Sequence, residues 1–239
     1  MKNQYFGDIH DYRKYGLLRS IIEATQLRLL VAWMLTPDDG GSDGSRLSYL
    51  NKPSKWGKHD PELFDWLHDI LFDLQDPEKR GVHLIEKSEM LPLTQYFSEE
   101  VSDQKTNRSA WLRSLEEQAK NNDFVFLDPD NGIEVKSKSY GHTNSSKHVY
   151  WREIKPLWDS GKSLLIYQHF IREKRPTFIQ RIQTELHDTT QNSLVEAFRT
   201  SDVLFLLALQ PNHQKYHENI VRSVQSKWEG QIDHCVFPC

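Results

Sequence analysis

The chain of 239 residues carries a formal net charge of -4 and a pI near 6.3. That balance excludes a protein that grips a long nucleic acid through bulk positive charge, while a local basic face, and so a nucleic-acid partner, stays allowed. Residues 1–8 lack the apolar stretch of a signal peptide and the longest apolar run, 27–35, is too short for a bilayer, so a cytoplasmic chain with no membrane partner is expected.

Short apolar runs alternate with longer amphipathic stretches, the pattern of buried parallel strands and their crossover helices. Residues 12–25 are predicted helical, with Tyr15, Leu18, Ile21 and Ile22 on one face, and 27–35 form the first strand, stopped by a turn rich in Pro and Gly. Residues 61–74 repeat apolar positions at helical spacing and 82–85 follow as a short second strand. A helix over 110–120 leads to a third strand at 124–127, a helix over 150–158 to a fourth at 163–167, and a helix is expected over 176–186. The most apolar strand is 203–209, then a helix over 213–228 and a last strand over 232–237. Residues 135–147, rich in Ser, Lys, Gly and His, read as a mobile loop. Cys235 and Cys239 lie close together near the end of the chain with no further cysteine partners, which fits a reduced compartment and no disulfide scaffold.

This order predicts a single α/β domain over 1–239, Rossmann-like and three-layered, with a mostly parallel sheet. Ligands of such sheets sit beyond the carboxyl ends of the strands, so the loops after Leu35, Ile85, Leu127 and Tyr167 are the places to look for chemistry. The first runs through Asp38, Asp39, Gly40 and Gly41; it is acidic and lacks G-x-G-x-x-G, which speaks against a dinucleotide. Glu86 ends the predicted second strand, where a carboxylate can accept from both hydroxyls of a ribose. Asp128-Pro129-Asp130-Asn131-Gly132 places two carboxylates and an amide at a buried strand's exit, more polar groups than a turn needs. Tyr167 and His169 close the fourth strand, an aromatic ring for stacking on a base and an imidazole for moving a proton. Ahead of the first helix, residues 5–15 crowd aromatic, acidic and basic groups. Asp8 or Asp11 can cap that helix there, and Lys14 lies one turn from Asp11.

In order, these segments resemble the methyltransferase-like Rossmann superfamily, in particular a bacterial 23S rRNA adenine N6-methyltransferase family. Gly7, Asp11 and Lys14 are similar to that family's opening G-N-x-x-D-x-x-K-H, and residues 36–44 echo its D-T-H-x-G-x-G loop. Leu84-Ile85-Glu86 matches its strand ending in an acid, Asp128-Pro129-Asp130-Asn131 its D-P-P-Y motif, and Ala208-Leu209-Gln210-Pro211 its late N-P-P. The resemblance implies a small-molecule methyl donor, S-adenosylmethionine, bound by Asp38, Asp39, Gly40, Gly41 and Glu86. It implies catalysis by Asp128, Pro129, Asp130, Asn131 and Lys14, and substrate contacts from Tyr167, His169, Gly7 and Asp11. Asp130 and Asn131 stand where the family has Pro and Tyr, so adenine specificity is not carried over and the acceptor is a nucleic acid or a small amine or amide. No metal site is expected in this reading.

Two other readings stay open. Pro129-Asp130 followed by Glu134-Val135-Lys136 spells the carboxylate and lysine set of a magnesium-dependent nuclease. The altered D-P-P-Y equivalent also fits a non-catalytic member of the fold that binds a partner. The sequence does not fix the oligomeric state.

Overall fold

The computed structural model describes residues 1–41, 43–74 and 79–236. Ser42 of the glycine-rich loop, Phe237 of the predicted last strand and Cys239 lie outside them. In chain order the elements begin with α1 (Ile9–Thr25), β1 (Leu29–Ala32), the short α2 (Pro53–Trp56), α3 (Pro61–Asp73), a single turn α4 (His83–Glu86) and β2 (Thr94–Phe97). There follow α5 (Lys105–Ala119), β3 (Phe124–Leu127), β4 (Gly132–Ile133), β5 (His148–Val149), α6 (Trp151–Asp159), β6 (Ser163–His169) and α7 (Arg175–Thr189). The chain ends with β7 (Leu194–Arg199), β8 (Val203–Leu209), α8 (His217–Trp228) and β9 (Asp233–Cys235).

The fold is α/β around a seven-stranded mixed sheet in the order β2-β1-β3-β6-β8-β7-β9. The strands β2, β1, β3 and β6 are mutually parallel, and β8 runs against β6. The reversal follows from the tight turn between β7 and β8, where Thr200 Oγ1 accepts from the Asp202 and Val203 amides at 3.2 Å: a strand returning through a hairpin must be antiparallel. A small parallel pair, β4 with β5, stands beside the main sheet.

Alternation along the buried strands divides the core in two. Leu29, Val31, Trp33, Phe124 and Phe126 face α1, α3 and α8, whereas Leu30, Ala32, Met34, Val125 and Leu127 face α5, α6 and α7. Helices therefore cover both faces. α1 begins where the Asp8 side chain accepts the His10 amide at 2.9 Å, and it ends at Gln26 in the left-handed region. Tyr12 stacks on Tyr49 and meets Trp228 edge-on, so aromatic packing joins α1, α8 and the loop after β1.

The predicted strand over 82–85 is instead the turn α4. Four apolar-rich residues carry too little pattern to separate the two periods, and here Val82 and Ile85, three apart, are the buried pair. The strand that pairs with β1 is β2, a polar edge strand whose Thr94, Gln95 and Tyr96 are only partly buried or exposed. β7 also had no sequence reading, because Glu196 interrupts its apolar run. The segment 135–147, expected to be a mobile loop, is tied down at its C-terminal end. The buried Arg108 guanidinium donates to Glu153 at 2.7 and 2.8 Å, to the Ser145 carbonyl at 3.1 Å and to the His148 carbonyl at 2.6 Å. Asp103 adds acceptors for the Asn144 and Ser146 amides.

Where α1 crosses α8, Gly16 faces the Trp228 ring so closely that an added Cβ would fall inside it. Gly16→Ala should therefore destabilise the fold by about 3 kcal/mol through overpacking, read as a lowered urea midpoint with unchanged slope. A midpoint within error of the parent would show that the two helices part freely.

Candidate active site

From β1 the chain departs to β2 on one side, while β3 returns on the other, and the connections leaving the two strands diverge. The strands are in register with Ala32 opposite Leu127, so the residues that follow each emerge together. The Asp128 amide donates to the Ala32 carbonyl at 3.0 Å, and the Thr36 hydroxyl donates to Asp130 Oδ2 at 2.7 Å. A cavity of about 500 Å³ opens here, lined by Asp128, Pro129, Asp130 and Asn131, by Asp11 and Lys14 of α1, and by Tyr167 and His169 at the end of β6.

The floor of the cavity is an ion-pair cluster. Lys14 Nζ lies 2.7 Å from Asp128 Oδ2 and 2.8 Å from Asp11 Oδ1, with all three side chains at most 3 % exposed. Burial works against its charge, but the two carboxylates hold the Lys14 ammonium above its ordinary range. Asp11 also accepts from the Gly7 amide at 3.0 Å and the Tyr15 hydroxyl at 3.2 Å. Gly7, with φ 77°, is thus the turn that aims Asp11, and it does not line the cavity. The Met1 ammonium crosses the exits of β1 and β3: it pairs with Asp130 at 2.6 Å and donates to the Asp128 carbonyl at 3.0 Å and the Met34 carbonyl at 3.2 Å. Burial alone would raise the Asp130 carboxyl, yet this ammonium and the Thr36 hydroxyl hold it below its usual range.

The rim combines opposite signs. Arg46 meets His10 and pairs with Asp202 at 3.2 Å, and Lys147 reaches the cavity from the segment that Arg108 pins. Burial lowers the His10 imidazole to about 4, with Arg46 beside it adding to the shift; burial also lowers His169 and His148. These imidazoles are neutral at neutral pH. His10, Arg46 and Lys147 had no sequence reading as site residues. For His10 a signal existed, since it stands one helical turn before Lys14 on α1. Arg46 and Lys147 come from loops with no periodic pattern.

Asn131 closes the loop through its backbone, donating to the Lys147 carbonyl at 2.9 Å and accepting from the His169 amide at 3.2 Å. Gly132 then adopts φ 111° against the Gln168 side chain, whose Oε1 accepts the Ile133 amide at 2.7 Å, and a Cβ there would collide with that amide group. The Tyr167 ring, expected to stack on a base, is 6 % exposed and has Lys14 Nζ 5.0 Å from its centroid. That face is occupied.

The predicted donor-binding set is only partly gathered. Asp39 lines the cavity and is bound to Lys2, whereas Asp38, Gly40 and Gly41 belong to the same turn but not to the lining. Asp38 accepts the Gln4 amide at 3.2 Å. Glu86 lies outside the cavity, accepting from Trp33 Nε1 at 2.9 Å and from the Ser98 hydroxyl. It does not end a strand, so the geometric reason for placing it on a ribose is gone. Glu134 and Lys136 line a second cavity with Trp151 and Arg181, while Asp130 faces the first, so the nuclease set is not assembled.

Lys14→Met should destabilise the chain by about 3–5 kcal/mol, because two buried carboxylates would then face each other without a cation. Denaturant unfolding of this variant and of Lys14→Met/Asp128→Asn, expected to recover part of the loss, checks it; a loss below about 1 kcal/mol would mean the carboxylates are hydrated. The histidines set an acid limit. The unfolded chain protonates His10 near 6.5 while the folded chain resists to about 4. Stability is therefore complete above the upper value and is lost as pH falls through that window, by at most about 3 kcal/mol from His10. His10→Gln should flatten the pH profile of the melting temperature across that window. An unchanged profile would assign the loss elsewhere. Searches against protein-family models, curated proteins and solved structures found no match to this chain.

Proposed function

We propose that this chain is a Rossmann-like, three-layer α/β methyltransferase that uses S-adenosylmethionine to methylate an amine or amide nitrogen of a nucleic acid or a small molecule. The observation that carries the reading is the position of the cavity, at the carboxyl ends of two adjacent parallel strands whose connections diverge. Asp130 and the carbonyls of Met34 and Asp128 already accept an alkylammonium there, that of Met1. With that group displaced, the same three acceptors fit the α-ammonium of the methyl donor. When bound, S-adenosylmethionine supplies a methyl group from its sulfonium and leaves as the thioether.

The chain's own residues account for the acceptor side. Asp128, steadied by Lys14, has a carboxylate that can accept an N–H of the incoming amine and orient its lone pair. His169, kept neutral by burial, can take the proton that the nitrogen sheds as its bond to carbon forms. Six aspartates line the cavity, Asp8, Asp11, Asp39, Asp43, Asp128 and Asp130, but the ammonium groups of Met1, Lys2 and Lys14 lie among them and offset much of their charge, so the interior suits an uncharged or zwitterionic group. Contacts with a nucleic-acid backbone would fall to Arg46 and Lys147 at the rim.

Calorimetric titration with S-adenosylmethionine and its demethylated product tests the reading. Saturable binding is expected, weakened at least tenfold, or about 1.4 kcal/mol, in Asp130→Asn and unchanged in Glu86→Gln. No heat with the folded parent protein sinks the proposal. Donor binding without methyl transfer to RNA, DNA or small amines would leave a binding protein on the same fold.

A further inference from the structure

At the opposite edge of the sheet from β2, one buried carboxylate meets two imidazoles. Glu196 projects from β7, His234 from the neighbouring β9, and His217 opens α8. His234 Nε2 lies 2.8 Å from Glu196 Oε2, and His217 Nε2 lies 2.9 Å from Oε1. One ligand atom from each of the three residues lies within 4.8 Å of the others. Hydrogen bonding explains only half of this convergence. His217 Nε2 is buried and makes no hydrogen bond, although the carboxylate is close enough for one. The Glu196 side chain is 9 % exposed, and among the described residues no lysine or arginine pairs with it. A buried carboxylate is costly unless its charge is offset, and a metal ion held between the three groups would offset it while giving the unbonded imidazole nitrogen a partner.

We propose that Glu196, His217 and His234 bind a zinc ion through the two Nε2 atoms and one carboxylate oxygen, with water in the fourth position. The donor chemistry selects the metal class: two imidazoles and one carboxylate suit zinc, whereas calcium and magnesium prefer all-oxygen shells. Bonds of about 2.1 Å in a tetrahedral shell require ligand atoms about 3.4 Å apart, so binding opens the 2.8 and 2.9 Å Glu–His contacts slightly and closes any wider separation within the 4.8 Å cluster. His217, 26 % exposed, has room to turn. Cys235 takes no part: it packs into the core on the other face of the sheet, while the His234 ring rests against Phe198. The ion would fasten a three-residue edge strand and the start of the last helix to β7, all remote from the cavity at β1 and β3.

The full chain, stripped with a chelator, is titrated with zinc sulfate in a calorimeter while its melting temperature is followed. One equivalent should bind with micromolar or tighter affinity and raise the melting temperature. Glu196→Gln and His234→Ala should each weaken binding at least tenfold. A zinc K-edge absorption spectrum of the loaded parent chain, which does not depend on the variants folding, should show two imidazoles and no sulfur. No saturable binding by the parent, sulfur in the zinc shell, or undiminished binding by the folded variants overturns the proposal.

Discussion

A lysine ammonium held between two carboxylates in the interior joins the first helix to the third strand. Lys14 and Asp11 belong to α1 and Asp128 follows β3, so the cluster ties together segments 114 residues apart in sequence. Its geometry carries consequences in both directions. Toward the core it fixes α1 against the sheet, with the Lys14 ammonium over the faces of Trp33 and Tyr167. Toward the cavity it sets the orientation of the Asp128 carboxylate, since turning it away would leave the buried Lys14 ammonium with one carboxylate partner instead of two. The ordering of the cavity floor is therefore inseparable from the stability of the fold.

Around this floor the walls are also held from behind. Asp130 is gripped by Thr36 and the Met1 ammonium, and the Asn131 backbone by Lys147 and His169. Arg108, buried among carbonyls and the Glu153 carboxylate, holds the connection that delivers Lys147. Side chains set by such second contacts need little reorganisation to meet a ligand, which is where binding energy is otherwise lost.

Much of this was legible in the chain. The runs at Phe124–Leu127 and Val203–Leu209 read as strands because both of their faces are covered, leaving no polar alternation to confuse the pattern. The excess of polar groups after Leu127 marked the cavity for the same reason: such groups at a buried exit have to be matched by partners. The rest failed on identifiable physics. β2 is a polar edge strand, so it carries no buried run, and the apolar α4 took its place in the reading; Glu86 was misplaced with it. Arg46, Lys147 and the Glu196 cluster depend on tertiary meetings between segments that no local period connects.

Both margins of the sheet are narrow and hydrophilic. On one side β2 offers four residues beginning Thr-Gln; on the other β9 offers three, beginning with Asp233. Long apolar margins invite pairing with another molecule, and short charged or polar ones discourage it. The same economy that hid β2 from pattern reading thus guards the chain against strand-to-strand aggregation.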